Sequence, residues 1–182
     1  MDKFALIVGA GSGISAAFAR ALKADGYRLA LTARDTGKLA GLARQTGADL
    51  VDTDAADVGS VAALFAELDR KFAQLDVVLY NASYRTRGAF IDLQPSEVKK
   101  SIAVSAYGGF LVAQQAAKRM LVRGEGAIFF TGASASVKGY AQSAAFAMGK
   151  FALRGLAQSM ARELQPKGIH VAHFVIDGGV RN

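Results

Sequence analysis

The sequence predicts an α/β fold, a doubly wound parallel sheet with helices on both faces, and three observations carry that prediction. An apolar run at residues 4–8, rich in Ile, Leu and Val, suits a strand buried on both faces. It leads at once into a glycine-rich turn, Gly9, Gly11 and Gly13, and then into a helix-forming run. Apolar runs and helical stretches then alternate to the end of the 182 residues, with no internal repeat or linker. One domain of ordinary size accommodates all of it.

Each element has its own signal. The first helix is expected over 12–24, ended by Asp25-Gly26, and the second strand over 28–32. Asp35 or Thr36 can cap a helix that runs to Gln45 and stops at Gly47. A short third strand follows at 49–53. Apolar residues at helical spacing, Val61, Leu64, Phe65, Leu68 and Phe72, mark an amphipathic helix over 58–72. The fourth strand is Val77–Tyr80. After a polar loop, Pro95 opens a long helix expected to continue to Leu121. The fifth strand is expected at 127–131. A second long helix over 143–165, with Ser143 as its cap, is closed by Pro166 and Gly168, and a sixth strand spans 169–176.

The glycine turn supplies the first functional reading. Glycine lets an anion approach the backbone, and the free N-H groups that open the next helix face that anion with the positive end of the helix dipole. Strand, glycine turn and helix start together make a phosphate cradle of the Rossmann type. Ligand chemistry is therefore expected at the carboxyl ends of the strands.

Composition narrows the alternatives. The chain is 52% hydrophobic, with 20 Gly, 2 Pro and no Cys, which excludes disulfides, thiolate metal sites and cysteine nucleophiles. No apolar run is long enough to span a bilayer and no signal-type segment opens the chain, so a cytoplasmic protein with no membrane partner is expected. The formal charge is +7, but Lys and Arg are scattered, with no run longer than Lys99-Lys100. A pocket for an anionic dinucleotide explains part of this excess, and no nucleic-acid partner is expected. His170 and His173 face opposite sides of the sixth strand, so no metal pair is expected there; both are read as hydrogen-bonded structural residues.

Several segments, in this order and at these intervals, resemble the short-chain dehydrogenases/reductases over nearly the whole chain. Val8-Gly9-Ala10-Gly11-Ser12-Gly13-Ile14-Ser15 is similar to the family's Thr-Gly-x-x-x-Gly-x-Gly turn, with Ser15 for the last glycine. Asp54-Ala55 is similar to its adenine-contacting segment, and Leu79-Tyr80-Asn81-Ala82-Ser83 stands where the family has Val-Asn-Asn-Ala-Gly. The resemblance implies cofactor contacts from Gly9, Gly11, Ser12, Gly13, Ile14, Asp54, Ala55, Asn81, Ala82, Ser83, Lys150, Gly178 and Val180. An acid at the end of the second strand would favour NAD, whereas here Ala33 is followed by Arg34, which would attract a 2'-phosphate and favours NADP.

The catalytic positions depart from the family. Ungapped alignment from Gly126 places Lys150 on the family lysine and Phe146 on the tyrosine that gives or takes the proton. The two share one helix face. Ala133 falls on the serine, with Ser134 next to it, and Ser105 on the relay asparagine. Ser134 and Tyr140, six residues before Phe146, are the remaining candidates beside Lys150; Ser143 holds the position of an alternative tyrosine seven residues before the lysine. The expected function is an NADP(H)-binding oxidoreductase acting on a small carbonyl, alcohol or enone with a degenerate tetrad; the alternative is a non-catalytic dinucleotide-binding sensor or scaffold. The family's substrate-covering segment and seventh strand find no counterpart in residues 1–182. The resemblance implies that the two long helices pack between subunits, where small residues such as Ala113, Ala116, Ala117, Ala152 and Ala157 allow close approach, and so implies a homo-oligomer, dimer or tetramer.

Overall fold

A computed structural model describes residues 3–178. Six parallel strands form one sheet in the order β3-β2-β1-β4-β5-β6. They are β1 (Phe4–Val8), β2 (Arg28–Ala33), β3 (Asp49–Asp52), β4 (Val77–Tyr80), β5 (Gly126–Thr131) and β6 (Ile169–Phe174). Val8 pairs in register with Thr32 on one side and Tyr80 on the other, so three strand ends lie level. The strand order reverses between β1 and β4, and this is where an open α/β sheet leaves a crevice at its carboxyl edge.

The helices split between the two faces. On one face, α1 (Ile14–Ala24) and α2 (Ala40–Thr46) cover Ala5, Ile7, Leu29 and Leu31. On the other, α3 (Val58–Lys71), α5 (Gly108–Arg123) and α6 (Ala144–Leu164) close over Leu6, Val8, Val78 and Ile128. Alternate residues of β1 serve opposite cores, as strand geometry requires. Asp57 caps α3 by accepting the Ser60 N-H at 2.6 Å.

Several expected boundaries shift for identifiable reasons. Helix α1 begins at Ile14, because residues 11–13 stay in the turn. Neither Asp35 nor Thr36 caps α2: the Asp35 carboxylate accepts the Gly37 N-H at 2.9 Å, Thr36 bonds to Asp52, and a 3-10 turn at Gly37–Leu39 intervenes. Ser143 precedes α6 but makes no side-chain cap; its carbonyl accepts the Ala147 N-H instead. Strand β6 stops at Phe174.

The long helix expected over 95–121 is broken. It consists of α4 (Pro95–Ile102), a π-helical segment at Ala103–Tyr107, and α5. In the wider turn the Val104 carbonyl accepts the Tyr80 hydroxyl at 2.5 Å. Gly108 makes the crossing possible, since a Cβ there would collide with the Tyr80 hydroxyl and the Ala55 carbonyl. Tyr80 is fully buried, and burial followed by the nearby Asp54 charge pushes its phenol pKa up, so it stays a neutral donor. Such π turns occur frequently beside functional sites.

Candidate functional site

The glycine turn is fixed by Asn81, just past β4, and by Ser15 in the first turn of α1. Gly9 has φ +77°, and a Cβ there would collide with the Ala82 backbone, so only glycine lets β1 and β4 approach at this point. The Asn81 amide donates to the Gly9 carbonyl at 2.9 Å and to the Ser15 hydroxyl at 2.8 Å, and Ser15 Oγ lies 3.4 Å from the same carbonyl. Ser15, buried in the place of the expected glycine, therefore ties the helix start to the strand ends. Helix α1 has no side-chain cap and no acid in its first turn. That end is electrostatically suited to an anion.

Two clefts meet on this turn. One, of about 440 Å³, is lined by Gly9, Arg34, Lys38, Asp54, Ala55 and Ala82, among others. The other, of about 650 Å³, is lined by Ile14, Thr131, Ser134, Tyr140, Phe146, Lys150 and Gly178, among others. Both include Asn81 and Ser83. The two clefts therefore adjoin at the carboxyl edge of the sheet. Gly11 and Ser12 line a neighbouring depression with Arg20 and Lys38. Of the residues expected at the cofactor, Val180 lies outside the described residues.

In the smaller cleft, Arg34 and Lys38 are exposed. The adjacent Asp35 carboxylate is turned onto the Gly37 N-H, and that of Asp54 onto the Ala56 N-H at 2.9 Å. The arginine was legible from its place after the strand; Lys38 was not, because the 3-10 turn brings it back to the cleft.

In the larger cleft, Lys150 is 3% exposed and its ammonium donates to the Thr131 carbonyl at 2.8 Å. Burial lowers its pKa to about 8. Phe146, one helical turn earlier, presents its ring to the same ammonium, 5.6 Å from Nζ to the ring centroid. Arg85 covers that ring as well, at 5.1 Å. Ser134 lies in the cleft at the start of a 3-10 turn, its backbone N-H donating to the Ile176 carbonyl at 3.0 Å. Tyr140 is at the rim, 43% exposed, and the cation set over its ring is Lys138, at 5.2 Å. The ring that Lys150 faces is thus that of Phe146.

Ser105 sits in the π segment, fully buried, and its hydroxyl accepts the Tyr84 N-H at 3.3 Å. The two histidines do not behave alike. His170 is exposed and meets Phe129 edge-on. His173 has a buried Nε2 with no hydrogen-bond partner among the described residues. Its ring occupies the space that a Cβ on Gly132 would need. Burial first, then the Lys150 and Arg154 charges, lower its pKa.

With fold and site described, comparison defines the class. Residues 3–180 match the short chain dehydrogenase family, and the chain belongs to it. It is 30% identical over 174 residues to the D-threitol dehydrogenase of Mycolicibacterium smegmatis, covering 93% of this chain and 67% of that one. Among solved structures it superposes on a short-chain dehydrogenase from Rhodopseudomonas palustris with a TM-score of 0.91 at 36% identity, covering 98% of this chain and 86% of that one. It is also similar to a gluconate 5-dehydrogenase from Burkholderia cenocepacia solved in complex with NADP and tartrate: TM-score 0.89, 28% identity, 97% and 72% coverage.

Proposed function

We propose that this chain is an NADP(H)-dependent oxidoreductase with an altered proton-transfer apparatus, acting on a small carbonyl, alcohol or enone. The observation that carries the reading is the pair of adjoining clefts that share Asn81 and Ser83, one lined by Arg34 and Lys38 and the other by buried Lys150. Residues 1–182 are read as one nucleotide-binding domain. Gly9, Gly11, Ser12, Gly13 and Ile14 would take the pyrophosphate, Asp54 and Ala55 the adenine side, Ala82 and Ser83 the floor, and Gly178 the nicotinamide end. Asn81 acts by holding the Gly9 carbonyl and Ser15 in place. Arg34 and Lys38 would pair with the 2'-phosphate; the solved relative that carries NADP supports this choice.

When bound, the nicotinamide supplies or accepts the hydride. The chain's own residues must then handle a proton at the substrate oxygen. Phe146 has none to give. Ser134 can donate a hydrogen bond to that oxygen, Lys150 stabilises negative charge beside it, and Tyr140 is the remaining phenol at the cleft. Losing the in-line general acid costs about 100- to 10,000-fold in rate, so slow turnover is expected. A cytoplasmic homo-oligomer paired through α5 and α6 belongs to the same reading, and light scattering that returned only monomer would remove that part.

The test is calorimetric titration with NADPH and NADH of the wild type and of Arg34→Ala and Lys38→Ala. NADPH should bind more tightly, and each variant should lose most of the difference. Equal binding of both nucleotides would refute the NADP assignment.

A further inference from the structure

We propose that the substrate of this cleft carries an anionic group, a carboxylate or a phosphate, and that Arg85 and Arg87 bind it. The proposal rests on the oxidoreductase reading and adds the substrate class. Arg85 and Arg87 both line the larger cleft, together with Ser134 and Tyr140. Among the described residues its charged lining is these two guanidiniums, Lys150 and one carboxylate, Asp177. Among the described residues neither arginine makes an ion pair, whereas Arg119 and Arg123 outside the cleft are each matched to an aspartate. An unpaired guanidinium pair is suited to bidentate binding of a planar or tetrahedral oxyanion.

The loop that carries them is anchored. Tyr84, immediately before Arg85, donates its N-H to Ser105, accepts the Ser101 hydroxyl on its carbonyl at 2.9 Å, and donates its own hydroxyl to Glu97 at 2.6 Å. Beyond Arg87, the Gly88 N-H donates to the Gln142 carbonyl at 3.3 Å, tying the loop to the opposite rim. Arg85 is further held over the Phe146 ring. Ser105 and Phe146, the two positions where the resemblance places the relay asparagine and the proton donor, thus both serve to place Arg85. A guanidinium there would hold an anionic substrate against the cleft wall.

The test titrates the full chain by calorimetry, with and without saturating NADPH, using malonate, inorganic phosphate and, as a neutral control, glycerol. Malonate or phosphate should bind saturably and glycerol should not. The double variant Arg85→Gln, Arg87→Gln should weaken anion binding by about tenfold or more, with NADPH affinity unchanged. Preference for malonate identifies a carboxylate substrate and preference for phosphate a phosphate ester; either supports the subsite. If neither anion saturates, or if the double variant binds them as the wild type does, the proposal is overturned. In the nucleotide-free arm the glycine turn and Arg34 can also take an anion, so the reading there is the loss caused by the double variant, and it stays legible even if NADPH fails to bind.

Discussion

The Lys150 ammonium lies 5.6 Å from the centroid of the Phe146 ring and donates its hydrogen bond to the Thr131 carbonyl. A cation on a phenyl face is attracted to the ring quadrupole, so the pair is stable without any proton shared between them. Lys150 thus lies where it can stabilise negative charge in the cleft, and under the proposed function the proton would come from another group.

Restoring a phenol at this position tests that division of labour. Phe146→Tyr should raise the rate of NADPH-dependent carbonyl reduction by about 100-fold or more, the usual contribution of a positioned general acid. Steady-state kcat on a panel of ketones measures it. An unchanged kcat would mean that another group, Tyr140 first, already donates the proton; Tyr140→Phe then distinguishes the two.

Lys150 has a pKa lowered to about 8 by burial, so its ammonium predominates below that pH and is lost above it. Affinity for NADPH should fall as pH rises through about 8 and should be flat over the same range in Lys150→Met. The same shift has a stability consequence. Because the folded pKa is depressed below the ordinary lysine value of 10.5, this group's stabilising contribution is complete above 10.5 and is lost as pH falls to about 8. Fluorescence titration at a series of pH values gives the first result and chemical denaturation the second.

How much of this was legible beforehand depends on sequence distance. The Val77–Tyr80 strand and the glycine turn follow from local apolar runs and punctuation, and they emerge where expected. The break in the long helix does not. It lies where the Tyr80 hydroxyl reaches Val104, a contact 24 residues apart that no helical periodicity reports. The Asn81 to Ser15 bond, across 66 residues, is equally invisible in a linear reading, which took Ser15 only as a small substitute for glycine. Arg85 and Arg87 had a faint signal, two basic residues in the loop after the fourth strand, but only the fold brings that loop to Phe146 and Gln142.

That Asn81 to Ser15 bond makes a prediction of its own. Asn81→Ala removes the donor to both Gly9 O and Ser15 Oγ in a part-buried setting. Leaving such groups unmatched costs about 1 to 3 kcal/mol, so the urea midpoint should fall and NADPH binding should weaken with it. Ser15→Gly, which removes the hydroxyl that accepts from Asn81 and donates to the Gly9 carbonyl but leaves the Asn81 amide on that carbonyl, should cost less. Equal losses in the two variants would contradict the placement of Asn81 as the organising side chain.

His173 is the last group whose environment has a measurable consequence. Its Nε2 is buried without a partner, and burial together with the Lys150 and Arg154 charges depresses its pKa below the ordinary 6.5. The folded chain therefore resists protonating this ring while the unfolded chain does not. Stability contributed by the neutral imidazole is complete above 6.5 and is lost as pH falls from there through the depressed folded value. His173→Phe keeps a ring against Gly132 and removes the titration. Its thermal midpoint should decline less than that of the wild type between about pH 7 and pH 5. Parallel pH profiles for the two proteins would show that acid lability arises at other groups and that the unpartnered nitrogen has no energetic consequence.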